Sequence, residues 1–269
     1  YDFPGLIYHD RQDLIDYDRT SARFERNGFV TKASVATDED QEAIESMAAI
    51  PAYNEAENIA NVVRAAATYV DRVVVVDDGS DDDTVARATD AGATVRTHAN
   101  NRGYGAALKT AFRTAAESDV DQLVILDGDG QHDPADIPRL LAAQQASEAA
   151  IVVGSRFCAG AETKMPMYRR IGLGAINVLT NLSLGVIRRE SWVRDTQSGF
   201  RVYGASAIAT LAEDGTIGDH MDASTDILYH AHHHDHEIAE IGVEINYDVE
   251  DGSSHHPLIH GFVLVRNIL

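Results

Sequence analysis

The sequence predicts an α/β protein with a mostly parallel β-sheet and helices on both faces of that sheet. From residue 47 to residue 153, short apolar runs alternate with longer segments in which apolar residues recur at helical spacing. Each apolar run ends in proline, glycine, aspartate or another turn residue. Because strands separated by helices are joined by right-handed crossovers, this alternation is typical of a parallel sheet that is covered on both sides.

The predicted elements follow one another in a regular order. An apolar run at residues 47–50 ends at Pro51, and a β-branched run at 73–76 forms the second strand. Three more strands and four helices are predicted: strands at 94–97, 123–126 and 151–153, and helices at 55–69, 81–91, 105–117 and 134–147. In such sheets ligands bind outside the carboxyl ends of the strands, so the turns that follow these strands are the expected site.

The charge of the chain limits the functions that it can have. Its 269 residues include 22 lysine and arginine and 43 aspartate and glutamate residues, which gives a net charge of −21. This balance excludes a general nucleic-acid-binding protein, because such proteins need a basic surface. It indicates a salt-adapted (halophilic) protein, with an ordinary acidic protein as the alternative. The single cysteine, Cys158, excludes a disulfide framework and a thiolate-rich zinc site.

Two further features of composition concern location and domain structure. The sequence has no apolar run of about 18 residues or more and no secretion signal, so we expect a cytoplasmic protein. Residues 1–46 carry 11 acidic and 5 basic residues and lack the alternating pattern. We predict that they form an acidic N-terminal extension, whose role the sequence does not reveal.

One strand end has the composition of a metal site. Asp127 and Asp129 flank a glycine directly after the strand at 123–126. Two carboxylates on such a turn can converge on one hard divalent cation, Mg²⁺ or Mn²⁺, and Gln131 can add a third oxygen. A solvated turn is the alternative for this motif taken alone.

A second acidic turn ends the strand at 73–76. Here Asp78 can accept hydrogen bonds from a nucleotide base or from ribose hydroxyls, as acidic residues do at other nucleotide-binding strand ends. The alternative is structural, with Ser80 capping the next helix and the acidic residues 81–83 stabilising its first turn. The two interpretations are compatible.

Six segments together carry a family resemblance. They occur in this order: Pro-Ala-Tyr-Asn-Glu-Ala (51–56), Val-Asp-Asp-Gly-Ser (76–80), Asn-Arg-Gly-Tyr-Gly (101–105), Asp-Gly-Asp-Gly-Gln-His (127–132), Gly-Ser-Arg (154–156) and Asp-Thr-Gln-Ser-Gly-Phe-Arg (195–201). The chain resembles family 2 glycosyltransferases of the GT-A fold over about residues 47–260. The resemblance is to the branch of polyprenyl-phosphate (dolichyl-phosphate) sugar synthases, because all six segments are present at suitable spacing.

The resemblance implies a reaction and a division of the chain. It implies a metal-dependent inverting transferase that moves a hexose from a nucleotide sugar, UDP- or GDP-linked, onto polyprenyl phosphate, with a lipid-linked sugar for protein glycosylation as the product. Residues 47–269 would form the GT-A domain, with a nucleotide-binding half at 47–155 and an acceptor half at 156–269. The enzyme would lie peripherally at the inner face of the cell membrane.

The resemblance also implies roles for individual residues. The residues expected around the nucleotide are Pro51, Tyr53, Glu55, Asp78, Lys109 and Asp127. Mg²⁺ or Mn²⁺ would be held by Asp127, Asp129 and Gln131. The catalytic set would be Asp195, Asp129 and Arg156, and the acceptor phosphate would meet Arg169, Arg170 and Arg201.

The residues around the acceptor have their own charge pattern. Residues 156–201 contain eight basic and three acidic residues, a local charge of +5, and arginine suits phosphate oxygens. Between the arginine pairs at 169–170 and 188–189 lies the uncharged stretch 171–187, which is too short and too polar to span a membrane. We interpret it as a surface helix at a membrane interface or lipid chain. A buried helix with solvated arginines is the alternative.

The segment 195–201 bears on mechanism and donor. A lipid phosphate is ionised at neutral pH, so we expect Asp195 to position acceptor and sugar, with a general-base role as second choice. The Thr-Gln-Ser-Gly-Phe form of this segment resembles the glucosyl-type members of the family, which use UDP-glucose, more than the mannosyl type, so the resemblance favours UDP-glucose over GDP-mannose as the donor. Two other functions remain open: transfer to a glycan or other non-lipid acceptor, and non-catalytic binding of a nucleotide sugar.

Two C-terminal features fit the resemblance less well. The run at 230–236 contains five histidines, of which His230 and His234 could share a helix face and bind a metal. We interpret this run as polar surface. Residues 251–256 lack the basic residues that the family has around its Gly-Ser-Ser segment, which puts closure of the acceptor loop in question.

Overall fold

The computed structural model describes residues 6–8, 44–161, 165–186, 192–213, 217–218 and 223–246. Its strands are β1 Leu6–Tyr8, β2 Ser46–Ala52, β3 Arg72–Asp77, β4 Thr94–Thr97, β5 Gln122–Ile125, β6 Ile151–Ser155, β7 Arg201–Gly204 and β8 Ile238–Gly242. Its helices are α1 Ile59–Ala66, α2 Thr84–Asp90, α3 Tyr104–Glu117, α4 Ile137–Ser147, α5 Met167–Ser183, α6 Ala205–Glu213 and α7 Ala223–His233, with a short 3₁₀ helix at Pro134–Asp136. The predicted fold class is confirmed.

In the described part of the chain the strands form one sheet in the order β1-β8-β6-β7-β5-β2-β3-β4. All neighbouring strands are parallel except β7, which runs antiparallel to both β5 and β6. The parallel strands therefore end at one edge, called here the carboxyl edge. Because β7 runs the other way, its first residue, Arg201, and the loop before it lie at this same edge. The periodicity of the sequence did not predict β7 or its direction.

The core has two layers, one on each face of the sheet. Successive residues of β2 and β3 point to opposite faces, so Ala49 and Val74 contact one layer and Ala48 and Val73 the other. Helices α3, α6 and α7 cover the first face, and α1, α2 and α4 cover the second. Both faces of these strands are thus buried, which explains why their sequences are continuous apolar runs instead of alternating ones.

Helix α5 has two very different faces. The residues that the helix buries are Ile176, Asn177, Thr180 and Asn181. The opposite face carries an exposed apolar stripe, defined by Met167, Ile171, Val178 and Leu182. These four residues recur at intervals of four, seven and four, so they lie on one line along the helix. No helix among the described residues is long and apolar enough to cross a membrane.

The predicted N-terminal extension contributes one described element. Strand β1 pairs in parallel with β8, with Tyr8 beside Glu240, at the outer edge of the sheet. Residues 9–43, the arginine pair at 188–189 and the segment 251–256 lie outside the described residues.

Candidate active site

The acidic turn stands at the carboxyl edge directly after β5. The Asp127 carboxylate accepts a hydrogen bond from the Tyr104 hydroxyl at 3.3 Å, and its side chain is 35% exposed. Asp129 accepts from the backbone N–H of Gln131 at 2.9 Å, which folds the turn back on itself. The backbone N–H of Asp127 donates to Nδ1 of His132 at 3.2 Å. Burial lowers the pKa of His132 to about 4, so its ring is neutral and can accept this bond.

The electrostatics of this turn fit a divalent cation. Burial raises the pKa of Asp127 and of Asp129, and the charge of Asp127 raises the pKa of Asp129 further. Two partly buried carboxylates that repel each other are the oxygen donors that Mg²⁺ and Mn²⁺ prefer. Within the described residues no three His, Cys, Asp or Glu side chains form a metal cluster. Besides the predicted oxygen of Gln131, the remaining ligands would be waters and substrate oxygens, as is usual for Mg²⁺.

The loop between β2 and α1 borders this turn. A Cβ built on Gly128 would lie 3.4 Å from the Pro51 carbonyl oxygen and 3.5 Å from Cγ of Glu55. The Glu55 side chain is buried, whereas Tyr53 is 45% exposed on the same loop. Two residues predicted near the nucleotide, Pro51 and Glu55, thus lie beside the acidic turn, and Tyr53 is on the same loop. Lys109 is half-buried on α3, which begins at Tyr104.

The predicted nucleotide ligand Asp78 has a different set of partners. It is 3% exposed, and its carboxylate accepts from the backbone N–H groups of Arg102 and Gly103 and pairs with Nδ1 of His98 at 2.6 Å. This carboxylate therefore fastens the loop before α3. Gly79 permits the approach of that loop, because its φ is +77° and an added Cβ would lie 2.6 Å from the backbone of Asn100.

The predicted cap at Ser80 is wrong. The residue at the N-cap of α2 is Asp83, because the chain turns for three further residues before the helix begins at Thr84. The Ser80 hydroxyl instead accepts from the backbone N–H of Asn54 at 2.9 Å. It thereby ties the turn after β3 to the loop after β2, which keeps two strand ends of the site in register.

Arg156 and Asp195 form a two-pronged ion pair. Arg156 follows β6 and donates from Nε to Oδ2 of Asp195 at 2.7 Å and from Nη2 to Oδ1 at 2.6 Å. Its backbone N–H also donates to Oδ2, at 2.9 Å. Asp195 is fully buried, and the Arg156 side chain is 11% exposed. The two predicted catalytic residues are therefore together, but most of the hydrogen-bonding capacity of Asp195 is directed at Arg156.

This ion pair lies beside the acidic turn. The charge of Arg156 partly offsets the rise that burial causes in the pKa of Asp127, and it adds to the fall that burial causes in the pKa of the neighbouring His132. The loop that carries Asp195 approaches the same carboxylate, since a Cβ built on Gly199 would lie 3.0 Å from Oδ2 of Asp127 and from the Tyr104 hydroxyl. The two acidic motifs, separated by more than sixty residues in the sequence, therefore meet at the carboxyl edge.

Arg201 does not lie where the acceptor phosphate was predicted to meet it. It is 1% exposed, and its guanidinium donates to the backbone carbonyls of Thr196, Ser198 and Ser224. The side chain is held inside the protein because β7 begins at this residue and points it into the core. Its charge reaches the site only through space, where it partly offsets the rise that burial causes in the pKa of Asp127.

A groove of about 490 Å³ opens between α5 and the segment at 192–194. The residues that line it are Phe157, Gly174, Asn177, Val178, Trp192, Val193 and Arg194. It is mainly apolar, and its 192–194 wall leads directly to Asp195. Arg169 and the exposed Arg170 lie in the first turn of α5.

The histidine run closes α7 and continues into the next turn. The ring of His233 packs on that of Tyr229, with centroids 4.1 Å apart, and Nε2 of His236 is 3.1 Å from the Thr210 hydroxyl. Sequence reasoning assigned no role to Tyr104, His132, Asn177 or Glu240, although all four hold the site together. For Glu240 a signal existed, namely one acidic residue inside the apolar run Ile238–Gly242.

Comparison with known families shows the family of this chain. The model of a family described as "Glycosyl transferase family 2" matches residues 47–211, which is more than half of the chain. The chain belongs to glycosyl transferase family 2. The match includes all six predicted motifs completely, so the assignment made from these motifs is confirmed.

Relatives of this glycosyltransferase include enzymes named for lipid phosphate acceptors. It is 32% identical over 183 residues to the UDP-N-acetylglucosamine–dolichyl-phosphate N-acetylglucosaminyltransferase of Methanococcus voltae, which is 61% of this chain and 71% of that protein. It is 34% identical over 164 residues to the polyprenol monophosphomannose synthase of Mycolicibacterium smegmatis, 57% of this chain and 59% of that one. An uncharacterised protein of Methanocaldococcus jannaschii is 29% identical over 222 residues, 82% of this chain and 89% of that one.

Solved structures confirm the fold of this glycosyltransferase. The glucosyl-3-phosphoglycerate synthase from Mycobacterium tuberculosis, in complex with Mn²⁺, UDP and glucosyl-3-phosphoglycerate, superposes with a TM-score of 0.62 at 20% identity. The match covers 84% of this chain and 77% of that one. At this identity the likeness establishes the GT-A fold and leaves substrates to be argued from the site.

Proposed function

We propose that this glycosyltransferase moves a hexose from a nucleotide sugar onto polyprenyl phosphate, with inversion at the anomeric carbon. The observation that carries the proposal is the arrangement at the carboxyl edge. An acidic turn suited to a cation and a diphosphate lies beside Asp195, and Asp195 adjoins an apolar groove on a helix with an exposed apolar stripe. A nucleotide sugar needs a turn that suits a cation and a diphosphate, and a lipid phosphate needs an apolar groove beside an exposed apolar stripe. The names of the relatives support this pairing of substrates.

The donor would bind across the ends of β2, β3 and β5. Pro51, Tyr53 and Glu55 would border the base and ribose, while Asp78 would shape this pocket by holding the loop before α3. Lys109 would lie near the diphosphate. Asp127, Asp129 and Gln131 would hold Mg²⁺ or Mn²⁺, which when bound stabilises the negative charge of the leaving nucleoside diphosphate.

The acceptor would approach along α5. Its isoprenoid chain would occupy the groove beside Trp192 and Val178, and its phosphate would meet Arg169 and Arg170 at the start of the helix. The exposed apolar stripe would enter the membrane interface, where such residues together with arginines bind anionic lipid surfaces. The enzyme would therefore be peripheral at the inner face of the cell membrane.

The chain's own residues need to orient the reactants more than to move protons. A phosphate monoester is ionised at neutral pH, so its oxygen can attack the anomeric carbon without a strong base. The Arg156 guanidinium, held by Asp195, would face the donor side of the site and favour negative charge there. Attack in line with the departing diphosphate inverts the anomeric centre. UDP-glucose is the favoured donor and GDP-mannose the next.

The test is sugar transfer at high salt, with a membrane extract as acceptor and labelled UDP-glucose, GDP-mannose and UDP-N-acetylglucosamine as donors. Mg²⁺, Mn²⁺ and a chelator are compared. We expect chelator-sensitive label in the organic phase from one donor. We also expect Asp129→Asn to abolish that label. Asp119→Asn is the matched control, because this exposed residue has a φ of +53°, a conformation that asparagine adopts readily.

Two results would overturn parts of the proposal. Donor hydrolysis without a lipid product would show that the acceptor is wrong, and transfer to glycans or soluble phosphates would then be tested. Donor binding without any turnover, unaffected by Asp129→Asn, would favour a non-catalytic sugar-nucleotide-binding protein.

A further inference from the structure

The loop that carries Asp195 is held almost entirely by side chains. All four backbone N–H groups of residues 193–196 donate to a side-chain oxygen. The acceptors are Asn181 Oδ1 for residue 193, at 2.9 Å, and Asn177 Oδ1 for residue 196, at 3.1 Å. Between them, Glu240 accepts from residue 194 at 2.8 Å and from residue 195 at 3.0 Å, one with each carboxylate oxygen. A loop normally satisfies such groups with water, so this pattern fixes the backbone of the loop.

The same side chains also donate to the loop. Asn181 Nδ2 donates to the carbonyl of Val193 at 2.9 Å, and Asn177 Nδ2 donates to the carbonyl of Arg194. The three holding residues are themselves buried: Asn177 is 8% exposed, Asn181 0% and Glu240 1%. They reach the loop from two sides, the asparagines from α5 and Glu240 from β8. We call these three residues the loop clamp.

A carboxylate suits the position of Glu240 and an amide would not. The two N–H groups of residues 194 and 195 need two acceptors, whereas glutamine would present one acceptor and one NH₂ donor. Placing this carboxylate here is unfavourable in itself, because it is buried and close to the Asp195 carboxylate. Burial first, and the charge of Asp195 in addition, raise the pKa of Glu240 to about 7. A buried carboxylate whose ionisation is this unfavourable is expected to have a functional role at the adjoining site.

We propose that Glu240 is a positioning residue for the transfer reaction, and that together with Asn177 it sets the Arg156–Asp195 pair at the site. The geometry supports this inference because the N–H of Asp195 is bound by Glu240, while the carboxylate of Asp195 receives three hydrogen bonds from Arg156. A shift of the loop therefore shifts the guanidinium. Through Asn177, helix α5 is connected to residues 194 and 196, on either side of Asp195. The inference rests on the proposed function only in requiring that the protein is an active transferase.

The first test is Glu240→Gln. We expect kcat to fall roughly 10- to 100-fold, because a displacement of about 1 Å can have an effect of this size, while the KM for the nucleotide sugar stays roughly unchanged. Hydrogen exchange measured by mass spectrometry should be faster at residues 193–196. Glu237→Gln is the matched control, because this residue precedes β8 at the end of the strand opposite the site. Glu237→Gln should change neither kcat nor the rate of exchange at residues 193–196.

The pH profile separates positioning from a purely structural role. The charged and titratable groups that face Glu240 are Asp195, Arg194 and the buried thiol of Cys158, with the Ser155 hydroxyl as a further partner. Only the ionised carboxylate accepts both loop N–H groups without presenting a proton of its own. Wild-type kcat should therefore rise with pH through about 7, and Glu240→Gln should lose this rise. Loss of fold alone would lower kcat equally at all pH values.

A second variant covers the case in which Glu240→Gln does not fold. Asn177→Asp keeps the acceptor for the N–H of residue 196 but loses the donor to the carbonyl of Arg194. We expect a fall in kcat and faster exchange at 193–196 here as well. The proposal is overturned if both variants keep wild-type kcat, or if kcat falls without faster exchange in the loop. If the wild-type protein transfers no sugar at all, the proposed function fails, while the exchange measurement still tests the clamp.

Discussion

Arg201 has the charge expected of a phosphate ligand, but it is buried away from the position predicted for the acceptor phosphate. The sequence prediction assigned it to the acceptor phosphate. The structure instead has three backbone carbonyls around its guanidinium, in the core. Composition reports that a charge exists but not whether it is buried. Asp127, Asp129 and Gln131 could be grouped from the sequence because they lie on one turn. Asn177 and Glu240 could not, because only the folded chain brings them to Asp195.

At the residue scale, Gly199→Ala should disturb Asp127, the proposed metal ligand. The added Cβ would lie 3.0 Å from Oδ2 of Asp127 and from the Tyr104 hydroxyl, closer than the carboxylate tolerates without moving. We expect the affinity for Mn²⁺ to fall about 10- to 100-fold, as it does when the partners of metal ligands are lost. Titration calorimetry with UDP present measures this affinity.

The comparison variant is Gly172→Ala, whose added Cβ on the exposed face of α5 meets nothing within 4 Å. It should leave Mn²⁺ affinity as it is. Equal affinities for wild type and Gly199→Ala would show that the Asp127 carboxylate can move without loss of the site.

Glu240 also gives a prediction for stability against pH. Its pKa in the folded protein is about 7, above its ordinary value of 4.5, so the folded state favours the protonated form. The contribution of this group to the free energy of unfolding is therefore full below pH 4.5 and decreases as the pH rises towards 7. Urea unfolding of wild type and Glu240→Gln at pH 5 and pH 8 measures it. Between pH 5 and pH 8 the free energy of unfolding of Glu240→Gln should increase relative to that of wild type. A difference between the two proteins that is the same at both pH values would contradict the raised pKa of Glu240.

At the scale of elements, the sequence predicted strands and helices where their patterns were local. The β-branched run of β3 and the apolar runs of β2, β5 and β6 are buried on both faces, and each was found at its predicted place. Strand β7 has only four residues and follows a segment assigned to catalysis, so periodicity did not reveal it. Strand β8 is continuous, but its apolar sequence pattern is interrupted by the charged residue Glu240, so periodicity did not reveal it either. Both exceptions arise where tertiary contacts outweigh local pattern.

Helix α5 yields a prediction about membranes. Replacing Ile171 and Leu182 together by serine removes two members of the exposed apolar stripe, which are 68% and 56% exposed. Burying such a side chain contributes about 1.5–3 kcal/mol, so binding to vesicles of anionic lipid should weaken roughly tenfold for each substitution. Co-sedimentation with the vesicles measures the change. Tyr69→Ser, at an exposed position outside α5, should bind as wild type does, and unchanged binding by the double variant would remove α5 from the interface.

At the scale of the whole molecule, the net charge of −21 predicts a response to salt. At about 0.1 M salt the screening length is about 10 Å, and at about 1 M it is about 3 Å, so repulsion between surface carboxylates is largely removed at the higher concentration. We expect the midpoint of thermal unfolding to rise as KCl is raised over this range. Calorimetry at several KCl concentrations measures this midpoint. A midpoint that is constant or falls would favour the ordinary acidic protein over the salt-adapted one.

The antiparallel strand β7 has a consequence for how the enzyme is made. It follows both β5 and β6 in the chain, yet it lies between them in the sheet. A ribosome releases the chain from its N-terminus, so β5 and β6 emerge while the place between them is still vacant and their edges are unpaired. The nascent protein cannot close its sheet, or bring Asp195 to Asp127, until residue 204 has left the exit tunnel. Sugar transfer therefore begins only after most of the polypeptide has been synthesised.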